Sequence, residues 1–289
     1  MAGLLVLVAT VTACSSNMGL PESATEQGDS VVWLWRVFVI LAALIAGLIW
    51  VLTASVIITS VRRRRQHGAD AIPAQHQYRT GSEIAYTAAP LVIVAVLLAM
   101  TLVATNRLTD SVAEPDVEVK ATGFQWQWQF EYPDERITIS GTPAVLPEMW
   151  LPVGRTVRFV LASPDVIHAF WVPEFLEKRD MIPGVVNTID VTVKAPGQWV
   201  GRCAEYCGLY HWQMKFSVCA VDGARYDEWV ARNARRPQPV VAGPPTDARS
   251  AANANPTPGG EDTCPSAPVR VAALTPVPPA EGPQTGVGR

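Results

Sequence analysis

Two long stretches without a single charged side chain decide what this chain can fold into. From Val37 to Thr59, and again from Ile84 to Ala104, the sequence is mostly apolar and carries no charge. Wound as helices, both runs are long enough to cross a hydrocarbon core about 30 Å thick. Pro90 falls inside the second run, which membrane helices tolerate when neighbours satisfy the freed carbonyl. Between the runs lies Arg62-Arg63-Arg64-Arg65 and a polar connection through Arg79. Basic connections stay on the cytoplasmic side, so a hairpin with this turn sends the N-terminus and everything beyond about Asn106 to the opposite face. The arginine run also matches a nucleic-acid patch, but spans on both sides hold it against lipid headgroups. A formal net charge of −3 over 289 residues gives no electrostatic footprint for nucleic acid either.

Upstream, residues 1–13 are small and apolar and lead into Cys14-Ser15-Ser16-Asn17. The pattern resembles a bacterial lipoprotein signal, which would make Cys14 a lipidated N-terminus outside the cytoplasm, in agreement with the hairpin. No Lys or Arg precedes it, where secretory signals carry positive charge, and an apolar chain end with an incidental cysteine is the other reading.

After Pro115 the texture changes. Val117–Thr122, Gln125–Glu131, Thr156–Leu161, Val185–Val193, Trp199–Arg202 and Phe216–Val221 alternate or cluster apolar residues as half-buried strands do, with Pro-Gly turns at Pro183-Gly184 and Pro196-Gly197. They imply a small antiparallel sandwich or barrel. Residues 222–234 fit a short closing helix with Tyr226, Trp229 and Val230 on one face. Residues 236–289 are rich in Pro, Ala, Thr and Gly and too poor in large apolar side chains to build a core, so a disordered tail is expected there.

The five cysteines are Cys14, Cys203, Cys207, Cys219 and Cys264, an odd set whose spacing suggests no disulfide framework. Cys264 lacks the C-x-x-C-H of a haem attachment site. Cys203, Cys207, His211 and Met214 crowd four soft metal donors into one loop, a set that favours copper over oxygen-seeking ions. Structural zinc would leave the methionine unused. A mononuclear blue copper site takes one cysteine, so the second thiol suggests two copper ions. Of the four histidines, only His168 and His211 lie outside the cytoplasmic connection.

At these residues the chain resembles the cytochrome c oxidase subunit II family, the subunit that carries binuclear copper A in haem-copper terminal oxidases. The C-x-E-x-C-x3-H-x2-M loop and the segment Ser163-Pro164-Asp165-Val166-Ile167-His168 carry the likeness, which extends over roughly residues 30–222. It implies a membrane α-helical hairpin (30–106) joined to an all-β, cupredoxin-like Greek-key domain (115–235). It further implies that His168, Cys203, the carbonyl of Glu205, Cys207, His211 and Met214 hold two copper ions. The Glu205 carboxylate would share a magnesium or manganese ion with the large subunit, unless it is a solvated loop acid.

Gly123-Phe124-Gln125-Trp126-Gln127-Trp128 resembles the aromatic segment whose first tryptophan, here Trp126, receives the electron as an exposed indole on a docking surface; a core aromatic on a strand is the other reading. This chain has Phe124 where the family usually has histidine. Glu131 and Asp165 match acids that face a basic donor, with Pro164 in place of a second acid, and a solvated rim is the other reading of both. Glu83 matches a carboxylate at a cytoplasmic proton pathway, although helix-start acids also serve as dipole partners.

The resemblance implies the electron-receiving subunit of an oxygen-reducing, proton-translocating complex in a bacterial cell membrane. Its partners would be subunit I with haem and copper B, other oxidase subunits, cytochrome c or a membrane-bound c-type cytochrome, and the lipid bilayer. The alternatives are the copper A subunit of a nitric oxide reductase and a membrane-anchored copper carrier.

Overall fold

A computed structural model describes residues 17–68, 75, 77–142 and 145–234. The 1–13 segment, Cys14, Cys264 and the 236–289 tail lie outside the described residues. The chain forms two compact units, the helical hairpin with short segments 173–177 and 189–192, and a β unit built from most of residues 115–234.

Helix α1 spans Glu26–His67 and α2 spans Thr80–Thr109. The Thr25 hydroxyl caps α1 by accepting the Gly28 N–H at 3.0 Å, and Glu26 and Asp29 occupy its first turn. Arg64, Arg65 and His67 occupy its last turn, where cations oppose the negative end of the helix dipole. At 42 residues α1 is roughly 63 Å long, about twice the hydrocarbon thickness. The sequence reading placed the arginines in a connection; they are instead the projecting end of the helix. Pro90 lies within α2 as expected. Leu44, Trp50, Val51 and Leu91 are each about two-thirds exposed or more. Such a surface is unfavourable in water and neutral in lipid, and the two apolar helices fit a two-pass membrane protein.

The β unit contains β1 (Val117–Phe124), β2 (Gln127–Tyr132), β3 (Ile137–Ser140), β4 (Glu148–Pro152), β5 (Thr156–Ala162), β6 (His168–Val172), β7 (Glu177–Met181), β8 (Asn187–Thr192), β9 (Gly197–Cys203) and β10 (Lys215–Val221), closed by helix α3 (Gly223–Asn233). They form two five-stranded sheets, ordered β3-β2-β1-β5-β8 and β4-β10-β9-β6-β7. Alternation along β1, β2 and β5 buries Val117, Val119, Ala121, Trp128, Phe130, Val157, Phe159 and Leu161, as period-two patterning requires. Trp128, Phe130, Phe170 and Phe216 meet at centroid distances of 5.0 to 6.4 Å. Each such ring contributes about 1.5–3 kcal/mol by leaving water, and together they fix the β scaffold under the functional loop.

Two pairings depart from the antiparallel expectation: β1 runs parallel to β5, and β4 parallel to β10. Alternation reports burial, not strand direction, so it could not distinguish them. β3, β4, β6 and β7 were not anticipated. Every residue of β4 is buried, which removes the alternation, and β7 is the charged edge strand Glu177-Lys178-Arg179-Asp180-Met181. The Asp222 carboxylate caps α3 by accepting the Arg225 N–H at 3.0 Å, and Tyr226 and Trp229 are buried with Val230 half-buried beside them. Trp229 stacks on Trp150 at 5.6 Å and meets Tyr132 edge-on at 5.2 Å. Cys219 is disulfide-bonded, against the expectation from spacing; a lone cysteine per strand carries no sequence signal of a partner.

Candidate metal centre

The site grows out of two antiparallel strand pairs. β9 ends at Cys203 and β10 begins directly after Met214, with Lys215 opposite Arg202, so the intervening loop is clamped at both ends. The Cys203 N–H donates to the Met214 carbonyl at 2.9 Å, closing it. β6 starts at His168 and pairs with β9 so that Phe170 faces Cys203, which brings the distant histidine beside the thiols. Gly123 lets β1 pass close by, since a Cβ there would lie 3.3 Å from the His168 ring.

The Cys203 and Cys207 sulfurs are 3.9 Å apart. His168 Nδ1 lies 3.8 Å from Cys203 Sγ, and the Glu205 carbonyl oxygen 3.2 Å from it. On the other side, His211 Nδ1 is 3.5 Å and Met214 Sδ 3.8 Å from Cys207 Sγ. The donor atoms of His168, Cys203 and Cys207 all lie within 4.8 Å of one another, and all three residues are buried. All six groups singled out in the sequence as copper donors therefore line one cluster of two thiols, two imidazoles, a thioether and a carbonyl, buried at His168, Cys203, Cys207 and Met214 and half-buried at Glu205 and His211. It is a soft set that suits copper.

Charge is arranged to match. Burial alone would raise the Cys203 thiol, but the His168 ring and the backbone of Ala169 and Glu205 outweigh it and hold Cys203 below the ordinary thiol range. Cys207 goes up to about 12, first through burial and then through the negative charge of Cys203. A cation held there would offset that repulsion and favour both thiolates.

Asp165 has an attachment that its reading as a donor-facing acid did not suggest. Its Oδ1 lies 2.9 Å from His168 Nε2, and its Oδ2 accepts the Gln125 N–H at 2.7 Å. With Nε2–H given to the carboxylate, the Nδ1 lone pair is left facing Cys203. Burial would raise Asp165, yet the Gln125, His168 and Val166 donors hold it below the usual carboxylate range. Its spacing from His168 in Asp-x-x-His was the available signal.

Trp126 lies in the turn between β1 and β2, half-buried, with its Nε1–H donated to the Cys207 carbonyl at 3.1 Å. The Gln125 side-chain amide donates to the same oxygen at 2.7 Å. Tyr210 meets the Trp126 ring edge-on at 5.0 Å. Gly208, at φ +117°, permits this approach: a Cβ there would stand 3.1 Å from the Trp126 ring. Glu131 is not part of this cluster; it faces Lys120 across the β1–β2 pair at 4.0 Å. Glu83 sits in the first turn of α2, where its carboxylate accepts the Arg79 N–H at 3.2 Å.

Residues 142–221 match the family described as cytochrome c oxidase subunit II, periplasmic domain. Over 81% of its length the chain is 34% identical to a probable cytochrome c oxidase subunit 2 of Streptomyces avermitilis, covering 85% of that protein. The chain belongs to the cytochrome c oxidase subunit II family. Cytochrome c oxidase subunit 2 of Alkalihalophilus pseudofirmus is 32% identical over 78% of this chain and 66% of its own length. Among solved structures, the periplasmic domain of subunit II of cytochrome oxidase from Bradyrhizobium japonicum matches in full, at 30% identity and TM-score 0.41 over 44% of this chain. The family implies copper A for the buried sulfur and imidazole cluster, a partnership with other oxidase subunits, and a cupredoxin-like fold for the two-sheet unit.

Proposed function

We propose that this subunit receives electrons outside the membrane from cytochrome c, or from a membrane-bound c-type cytochrome, and passes them to the haem and copper B centre of subunit I, where oxygen is reduced to water. The observation that supports this most is the buried cluster itself: two sulfurs 3.9 Å apart, each with its own imidazole nitrogen within 3.8 Å. Two copper ions bound there would supply a one-electron couple shared across the pair.

His168, Cys203, the Glu205 carbonyl, Cys207, His211 and Met214 would hold the copper. Asp165 fixes the His168 ring, and the β9–β10 clamp keeps the donors in place, so that little rearrangement accompanies a change of charge. Trp126 is the electron-receiving group, joined to the cluster through its hydrogen bond to the Cys207 carbonyl. Glu131 and the solvent-facing part of Asp165 steer a basic donor, an effect that weakens with salt. The Glu205 carboxylate contributes to a magnesium or manganese site shared with subunit I, and Glu83 takes part in proton uptake from the cytoplasm.

In this reading residues 30–106 cross a bacterial cell membrane twice, residues 115–235 form the copper domain outside it, and Cys14 carries lipid. The whole complex is the oxygen-reducing, proton-translocating oxidoreductase. Rapid mixing of the purified oxidase with reduced cytochrome c tests the role. Bleaching of the copper absorbance ahead of haem reduction is expected; haem reduction with no change at copper would rule the role out.

A further inference from the structure

We propose that Arg202, Lys215 and Trp171 form a docking face for a carboxylate-bearing segment of another oxidase subunit, on the outer side of the sheet beside the copper loop. Phe216 packs on Trp128, Phe130 and Phe170 between the sheets, so strand alternation turns the neighbouring Lys215 and Trp171 to the opposite face. Register sets Lys215 of β10 on one side of Arg202 and Trp171 of β6 on the other. The three make one row across β10, β9 and β6. Each adjoins the donor cluster: Arg202 precedes Cys203, Lys215 follows Met214, and Trp171 lies three residues beyond His168.

Two cations directly opposite on an antiparallel pair stand about 5 Å apart at Cβ and repel each other. On the β1–β2 pair the chain instead sets Lys120 opposite Glu131, 4.0 Å apart. Among the described residues, neither Arg202 nor Lys215 has a carboxylate partner, and the row runs against a formal net charge of −3 for the whole chain. Arg202 is exposed, Lys215 and Trp171 are half-buried, and the guanidinium is held 5.7 Å over the Trp171 ring. A guanidinium laid on an indole keeps its planar fork of N–H groups for a carboxylate and has less freedom to lose on binding. Arginine and tryptophan are also the side chains enriched where proteins meet. With the oxidase complex and the basic donor proposed above taken as given, the two signs of charge divide the surface. Glu131 and Asp165 attract the donor, the Arg202 row repels it, and an acidic segment of a resident subunit relieves the repulsion between Arg202 and Lys215.

Carbodiimide treatment of the purified oxidase complex tests this, because the reagent condenses an amine with a carboxylate in contact with it. After reduction and digestion with trypsin, Lys215 should appear in an uncleaved peptide 203–225 joined to an acidic peptide of another subunit. Lys215→Arg should abolish that link with the subunit complement intact. Arg202→Glu combined with Lys215→Glu should release the partner subunit on native gels with copper content unchanged, and the link in the native sequence decides the matter independently of how the reversed chain folds. Lys215 recovered unlinked, linked only within its own chain or linked to cytochrome c would overturn the proposal. A reversed complex that keeps every subunit would also overturn it, and phospholipid lost from that complex would make the occupant an anionic headgroup. Copper bleaching on rapid mixing reads the electron role separately: normal bleaching with an unlinked Lys215 refutes the docking face alone, whereas absent bleaching with a linked Lys215 refutes the electron role alone.

Discussion

Replacing Asp165 by asparagine keeps the shape of the side chain but leaves it one acceptor oxygen where there were two. Oδ1 serves His168 Nε2 and the Val166 N–H, while Oδ2 serves the Gln125 N–H. Whichever way the amide is turned, its NH2 group faces a donor. Leaving a donor unpaired costs about 1–3 kcal/mol, and the surviving bonds lose their charge assistance. Asp165 keeps 30% of its side chain in solvent, so water relieves part of this and the lower half of that range applies. Expressed through His168, the loss corresponds to copper held roughly 10-fold less tightly, the low end of what supporting carboxylates contribute at metal sites. A chelator competition titration on the purified chain measures it. Asp165→Asn should release copper at lower chelator concentration with the thiols intact and the fold preserved. Copper retention equal to the native protein would refute the orienting role and leave Asp165 a surface acid.

The buried Glu148 carboxyl gives a pH dependence. Burial pushes it from 4.5 up to about 7, only partly offset by the Trp150 Nε1–H at 2.7 Å. The folded protein thus favours the neutral acid: this contribution is complete below about pH 4.5 and is lost as the pH rises through about 7, amounting to about 3 kcal/mol. Glu148→Gln should remove that loss, so the stability difference between variant and native chain should grow between pH 4 and 8; parallel denaturation curves across that range would contradict it. Gly208→Ala places a side chain at φ +117° and 3.1 Å from Trp126. It should cost about 1–2 kcal/mol of stability and slow electron acceptance from cytochrome c, and native rates would show that the Trp126 packing is dispensable. Met214→Leu conserves volume, so stability should fall by less than about 1.5 kcal/mol while the visible copper spectrum changes; an unchanged spectrum would remove Met214 from the donor set.

The hairpin was legible because lipid imposes a length and a composition that no other environment asks of a helix. The cluster was legible because its donors are rare residue types in one short loop, and only two histidines lay outside the cytoplasmic connection. What the sequence concealed was relational. Parallel pairing of β1 with β5 depends on how the chain crosses between sheets, which alternation does not encode. β4 hid because both of its faces are covered, and β6 because four of its five residues are buried. The Asp165 carboxylate read as a rim acid because its attachments to His168 and Gln125 exist only once β1 and β6 are brought together. Trp126 read as an exposed indole, yet its N–H is tied to the Cys207 carbonyl across 81 residues of sequence.

Electron paramagnetic resonance of the purified, copper-loaded chain, with copper counted on the same sample, tests the central claim most directly. Two tightly held ions per chain and a hyperfine pattern from one unpaired electron shared equally over both nuclei are expected. A single ion per chain, or the pattern of an electron confined to one nucleus, would contradict it.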